Sequence, residues 1–263
     1  MEARIKLTIA QREGRSYPLS LYVTPPFRVV SVGQLRHDGG AYLMQISTSP
    51  GVLSGDDYQI DINLQPDTRL QMLSQSYMRI FDMEGSATQR ITINVEDGAH
   101  FSQVSHPIVP HRNSSFSSVT QVSLGKNSSF LQSEIITCGR KYHGEEFEFR
   151  EFSNSIEVRA EGVLRLKDRV WLNPSSTPLR TCGLLENFTH QGTLVFQTTC
   201  DGIDISECIE HIHSQLTQVK DIDFGVSQSH YSGFVVRVLG ISGETLFNSF
   251  LQIQEYLWSH KQI

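Results

Sequence analysis

Apolar and polar residues alternate from the start of the chain. In Arg4–Ile9, Ile5, Leu7 and Ile9 fall on one side and Arg4, Lys6 and Thr8 on the other, the period of a half-buried strand. Short runs rich in Ile, Val, Leu and Phe, bounded by turn residues, follow at Ala41–Thr48, Tyr58–Leu64, Arg69–Ser76, Arg90–Val95, Ser118–Leu124 and Phe130–Thr137. The alternation is clearest in Glu145–Phe149 and Ile156–Leu166, and predicts strands there too. Asn173–Pro178 is the most loop-like stretch, but the strands on either side are alike, so residues 1–263 read as one domain.

Three segments share one shape. Ile60–Leu70, Ile91–Phe101 and Thr120–Phe130 each read as strand, turn, strand, with apolar landmarks recurring after 31 residues (60 to 91) and then 29 (91 to 120). Their turns carry Pro66-Asp67, Asp97-Gly98 and Gly125-Lys126-Asn127, which tolerate tight-turn backbone angles. A period near 30 suits layered β architectures, in which each unit buries its apolar face against the next. A β-meander with hairpins of similar length, folded as a simple sandwich, has the same signature.

Two helices are predicted near the C-terminus. Asp204, with Glu207 three residues on, forms a capping-box pattern, and Ile205, Cys208, Ile209, Ile212, Leu216 and Val219 follow at helical spacing. The second helix begins at Ser242-Gly243-Glu244 and buries Leu246, Phe247, Phe250, Leu251, Ile253 and Leu257. Between them Phe234–Leu239 reads as a central strand. The expected fold is mostly β, in layered superhelical, β-solenoid-like sheets with two C-terminal α-helices.

Composition narrows the function. The 263 residues are 38% hydrophobic and 19% charged, which fits neither a coiled coil nor a disordered chain. The net charge is −6 and no three basic residues run together, against a nucleic-acid or anionic-membrane binder. The charged start lacks the apolar segment of an export signal, and no apolar window is long enough to span a membrane. Four cysteines without a Cys-x-x-Cys pair then read as reduced thiols of a cytoplasmic protein.

Known chemical motifs are missing. Gly125-Lys126 lacks the upstream glycine of a phosphate-binding loop, and there is no Gly-x-Gly-x-x-Gly or Gly-x-Ser-x-Gly. Cys208, His211 and His213 are close in sequence, but helical geometry separates them. His106-Pro-Ile-Val-Pro-His111 reads as a proline-stiffened loop. Two acidic turns stand out: Ser49-Pro50-Gly51-Val52-Leu53-Ser54-Gly55-Asp56-Asp57, and Glu134 leading to Gly139-Arg140 and Gly144-Glu145-Glu146. The plain reading is that Asp56 caps a turn and Glu134 pairs with Arg140 across a strand.

These same residues carry a resemblance. Ser49-Pro50-Gly51 with Gly55-Asp56 is similar to the Ser-Pro-Gly-Gly-x-x-x-Gly-Asp motif of the UreD/UreH urease accessory proteins, with Val52 in place of the second glycine. Leu73–Phe81, Pro107-Ile108-Val109-Pro110, Gly139-Arg140 with Gly144-Glu145, and Arg237–Gly240 ahead of Trp258 resemble further elements of that family in the same order. The match runs from about Thr24 to Trp258, and Ser54 and Asp57 make it closer to the UreH branch.

The resemblance implies a mostly β fold and a maturation factor that is not an enzyme. It implies partnership with UreF, with the GTPase UreG and with apo-urease, and delivery of transient nickel through an internal polar tunnel, with no tightly bound cofactor. By motif, Asp56 and Glu134 become candidates for the nickel path, with Glu145 a weaker one and Arg140 a structural or tunnel candidate. A conduit needs carboxylates and waters spaced along it, since a dense Cys/His cage would trap the ion. The competing classes are a β-solenoid carbohydrate-active enzyme using Glu134, Arg140 and Glu145, for which Trp171 and Trp258 offer few stacking surfaces, and a passive metal-binding protein.

Overall fold

A computed structural model describes residues 1–33 and 36–259. The strands are β1 (Glu2–Arg12), β2 (Arg15–Val23), β3 (Phe27–Ser31), β4 (Ala41–Ser47), β5 (Asp57–Leu64), β6 (Arg69–Ser74), β7 (Met78–Ile80), β8 (Ala87–Val95), β9 (His100–Val104), β10 (Ile108–Pro110), β11 (Ser115–Leu124), β12 (Ser129–Thr137), β13 (Glu151–Ala160), β14 (Val163–Leu172), β15 (His190–Thr198), β16 (Ile222–Gln228) and β17 (Gly233–Gly240). Two helices complete the fold, α1 (Ile205–Thr217) and α2 (Gly243–Ser259).

The strands form two layers. The first sheet has the order β14-β13-β11-β8-β5-β1-β2, and the second runs β16-β17-β15-β12-β9-β6-β4-β3, with β7 and β10 attached. In the middle the chain crosses from one sheet to the other and returns one strand further along. β5, β8, β11 and β13 are therefore parallel neighbours, as are β4, β6, β9 and β12. The sequence period is the register of these ladders. Ile60 pairs with Ile91 and Ile91 with Thr120 in the first sheet, and Leu70 pairs with Phe101 and Phe101 with Phe130 in the second. This layered arrangement replaces the simple meander. The winding is not uniform, because β2, β3, β14, β15, β16 and β17 add antiparallel strands at the ends.

Two apolar cores result. Between the sheets, Ile60, Ile93, Phe101, Phe130 and Phe152 belong to one cluster. On the outer face of the second sheet, Leu131, Ile135, Phe196 and Phe234 pack against Cys208, Ile212, Phe250 and Leu257 of the helices. β12 serves both cores, which is why its sequence is nearly continuous in buried residues, with Glu134 its one partly accessible position.

Both helices lie where their periodicity places them. Asp204 caps α1, its carboxylate accepting from the backbone N–H groups of Ser206 and Glu207 at 2.9 and 3.1 Å. Val219 lies past the end of α1. Trp258 closes α2 onto the sheet. Its indole N–H lies 2.7 Å from the Asp38 carboxylate and from the Tyr42 hydroxyl, with the Arg69 guanidinium over its ring.

Three local expectations differ from the structure. Glu145–Phe149 is not a strand but an irregular segment after a 3-10 turn at Lys141–His143, with Phe149 buried and Glu148 exposed. Ile156–Leu166 is a hairpin, β13 turning into β14 at Glu161-Gly162, both with positive φ. The His106–His111 loop contains the short strand β10, which pairs with β7 and β12.

Candidate functional site

The inter-sheet core is not apolar throughout. A cavity of about 580 Å³ lies between the layers, where β4, β6 and β9 end and β5, β8, β11 and β13 begin. Six waters at about 30 Å³ each take up roughly 180 Å³, so a hydrated divalent cation fits. The cavity lining mixes amides and hydroxyls with apolar side chains such as Phe27, Ile60, Ile91 and Ile156.

The wall from the first sheet has one polar row, with Ile60, Ile91, Thr120 and Ile156 forming the next row of the lining. Tyr58, Gln89, Ser118 and Asn154 stand directly opposite one another on four neighbouring strands, and the Gln89 amide donates to the Ser118 hydroxyl at 3.2 Å. At about 4.8 Å per strand, the row spans roughly 14 Å. The facing wall carries Gln45, Ser74, Gln103, Gln132 and Glu134 of the second sheet. Gln132 lies opposite Gln103 and donates to its Oε1 at 3.2 Å.

Glu134 is the carboxyl inside this cavity. It sits in mid-strand on β12, on the same side as Phe130 and Gln132, opposite Thr193 of β15. Burial between the sheets pushes its carboxyl up to about 8, a hydrogen bond from Asn154 opposes the shift, and the charge of Asp168 adds to it. Near neutral pH the group therefore holds a proton that a divalent cation would displace.

Asp56 does not face the cavity. It is 5% exposed and accepts from the Leu53 backbone N–H at 2.9 Å, the Tyr58 hydroxyl at 2.9 Å and the Met1 ammonium at 3.0 Å. These bonds hold the glycine turn that forms the cavity rim. Gly51 of that turn packs so close to β7 that a Cβ would lie 2.6 Å from the Arg79 carbonyl oxygen. Asp56 reaches the cavity only through Tyr58.

Arg140 and Glu145 form a separate clasp. The Arg140 guanidinium makes a two-pronged ion pair with the buried Glu145 carboxylate, which also accepts from the Arg112 backbone N–H. The pairing holds the Glu145 carboxyl below its ordinary value, and neither residue lines the cavity. Gly139 takes φ +122°, and a Cβ there would press on the Glu145 and Pro110 carbonyl oxygens at 3.1 Å. The expected cross-strand pair of Glu134 with Arg140 is thus not formed, because Arg140 turns to Glu145 instead.

Of the four candidates, the polar row links Glu134 with Asp56 and leaves Arg140 and Glu145 apart. Sequence reading missed Tyr58, Gln89, Gln103, Gln132 and Asn154. A signal existed: Gln103 and Gln132 are 29 residues apart, one repeat period, at positions the repeat marks as inward. Cys208 is buried, and His211 stacks on Tyr256 with ring centroids 3.7 Å apart. Among the described residues no three His, Cys, Asp or Glu side chains converge as a metal site. All four cysteines are free. Among the described residues no helix is long and apolar enough to cross a membrane.

Comparison with known proteins bears on this site. The sequence model of the UreD urease accessory proteins matches residues 1–262. The chain is 42% identical to "Urease accessory protein UreD" of Flavobacterium johnsoniae, over 97% of this chain and 92% of that protein. It is 33% identical to the protein of the same name from Acetivibrio thermocellus, covering 98% and 97% of the two chains, and 33% identical to one from Haemophilus influenzae, covering 93% and 98%.

Proposed function

The chain belongs to the UreD family of urease accessory proteins, and from that premise we propose that it is a non-catalytic urease maturation factor. It acts as one unit in the cytoplasm, docks with UreF and UreG on apo-urease, and helps deliver nickel to the urease active site. Nickel is cargo here and not a resident cofactor.

The observation that carries this reading is a carboxyl, Glu134, inside a cavity of mixed polar and apolar lining between two sheets. A conduit must admit a divalent cation and release it again. A single carboxyl, in a lining that also holds amides, hydroxyls, His106 and Arg79, does both, whereas a cluster of carboxylates or thiolates would hold the ion. Cation entry at Glu134 releases a proton, so loading and protonation are exchanged at one group. Asp56 serves the rim: it fixes the glycine turn and orients Tyr58. Arg140 and Glu145 stabilise the segment after β12.

Co-expression with UreF and UreG, followed by size-exclusion chromatography with mass determination, tests the scaffold part. The expected result is one complex containing all three proteins. A monomer that ignores both partners overturns it.

A further inference from the structure

We propose that the seam between β14 and β17 is a side mouth of the cavity, and that the Asp168–Arg237 ion pair is its gate. This inference rests on the conduit reading above and adds to it a point of passage. β14 is the end strand of the first sheet, and β16, hydrogen-bonded to β17, is the end strand of the second. Among the described residues no strand ladder joins the two sheets there. Side chains close the seam instead. The Arg237 guanidinium pairs with the Asp168 carboxylate across the layers and donates to the Thr193 hydroxyl at 3.2 Å. Beside it the Arg165 guanidinium lies 4.2 Å from the centre of the Tyr231 ring.

Two rows of the cavity lining run into this pair. On the second sheet Glu134 stands opposite Thr193, and Thr193 opposite Arg237, two strands or about 9.6 Å from Glu134. On the first sheet Ile156 of the lining stands opposite Asp168, about 4.8 Å away. Both charges are on the inward faces. Asp168 lies between Leu166 and Val170, and Arg237 between Val235 and Leu239, all four packed on the inter-sheet core. An apolar pair of similar size would close such a place without loss of stability. An ion pair can also open. The Arg237 side chain is 46% exposed and can turn to water, while Asp168, 16% exposed, stays facing inward. A divalent cation at Glu134 repels Arg237 and attracts Asp168, and so favours the open arrangement. A cation passing here meets two carboxyls and avoids Arg79, whose carbonyl oxygen accepts from Val52 of the rim turn.

The test is the rate of Ni²⁺ release from the full-length chain at pH 8, followed by stopped flow with a chromophoric chelator. Two double variants remove both charges and differ only in bulk. Asp168→Leu with Arg237→Leu fills the seam, and release should slow by about tenfold while the melting temperature holds or rises. Asp168→Ala with Arg237→Ala leaves the seam open, and release should be faster than in wild type. Asp168→Leu with Arg237→Met serves as the second filled variant should two leucines disturb folding. Equal release rates in the filled and open doubles overturn the inference, as does faster release from the filled one. Equilibrium competition with the same chelator in Glu134→Gln separates the two layers of the argument. If Glu134→Gln weakens binding and the two doubles release alike, only this inference fails. If wild type and Glu134→Gln bind Ni²⁺ alike, the conduit reading fails first.

Discussion

The Tyr58 hydroxyl, in the cavity wall, donates a 2.9 Å hydrogen bond to the Asp56 carboxylate, which lies outside it. The rim turn and the first residue of the polar row are thereby one mechanical unit. Tyr58→Phe removes that bond and leaves Asp56 the Leu53 N–H and the Met1 ammonium. The expected loss is about 1–3 kcal/mol by denaturant unfolding. Asp56→Ala should cost more, because it also strands the Leu53 N–H and the Tyr58 hydroxyl. Equal or reversed costs would contradict this role for Asp56.

The raised carboxyl of Glu134 makes stability depend on pH in a defined sense. The unfolded chain releases this proton near the ordinary value of 4.5 and the folded protein near 8. Between these values the folded state holds more protons, so the contribution of Glu134 declines as pH rises through that window. Glu134→Gln removes the decline. Thermal unfolding should show the variant close to wild type at pH 4.5 and more stable at pH 8.5. A variant less stable at pH 8.5 would show that the carboxylate is internally compensated.

His100 and His190 act in the opposite direction. Burial pushes both imidazoles down to about 4. As pH falls from 6.5 towards 4, the unfolded chain takes up protons that the folded one refuses, and stability is lost. Combined with Glu134, these groups place maximum stability near pH 6.5. A pH series of melting temperatures in wild type should peak there, and the peak should broaden to the alkaline side in Glu134→Gln. A wild-type maximum above pH 8 would contradict the assignment.

How much of this was legible in the sequence depends on what repeats. The 31- and 29-residue offsets are legible because parallel strands on a winding chain must return in register, as Ile60, Ile91 and Thr120 do. The capping of α1 by Asp204 is legible because it is local. Glu145–Phe149 misleads because alternation without a neighbouring strand to pair with does not make a strand. Ile156–Leu166 misleads because the hairpin turn falls inside one long alternating run. The cavity was hidden because Gln89, Gln132 and Asn154 belong to three strands, and only the layer packing brings them to one space. The partner of Arg140 was hidden for a related reason, since Glu145 comes within reach only through the turn at Lys141–His143.

Trp258 gives a further check on how α2 is fastened. It is 3% exposed, donates to Asp38 and Tyr42, and lies under Arg69. Trp258→Ala should cost about 3–5 kcal/mol in denaturant unfolding. Trp258→Phe, which keeps most of the ring packing but drops the N–H, should cost only part of that. Equal costs would mean that the hydrogen bonds outweigh the packing.

The most direct measurement is urease activation at limiting nickel with Glu134→Gln in place of the wild-type chain, with the mass of the UreF–UreG complex checked in the same preparation. The account predicts an intact complex and activation reduced severalfold, with recovery as nickel is raised. An intact complex that activates urease as well as wild type at every nickel concentration would show that the cation does not pass Glu134, and the conduit between the sheets would have to be given up.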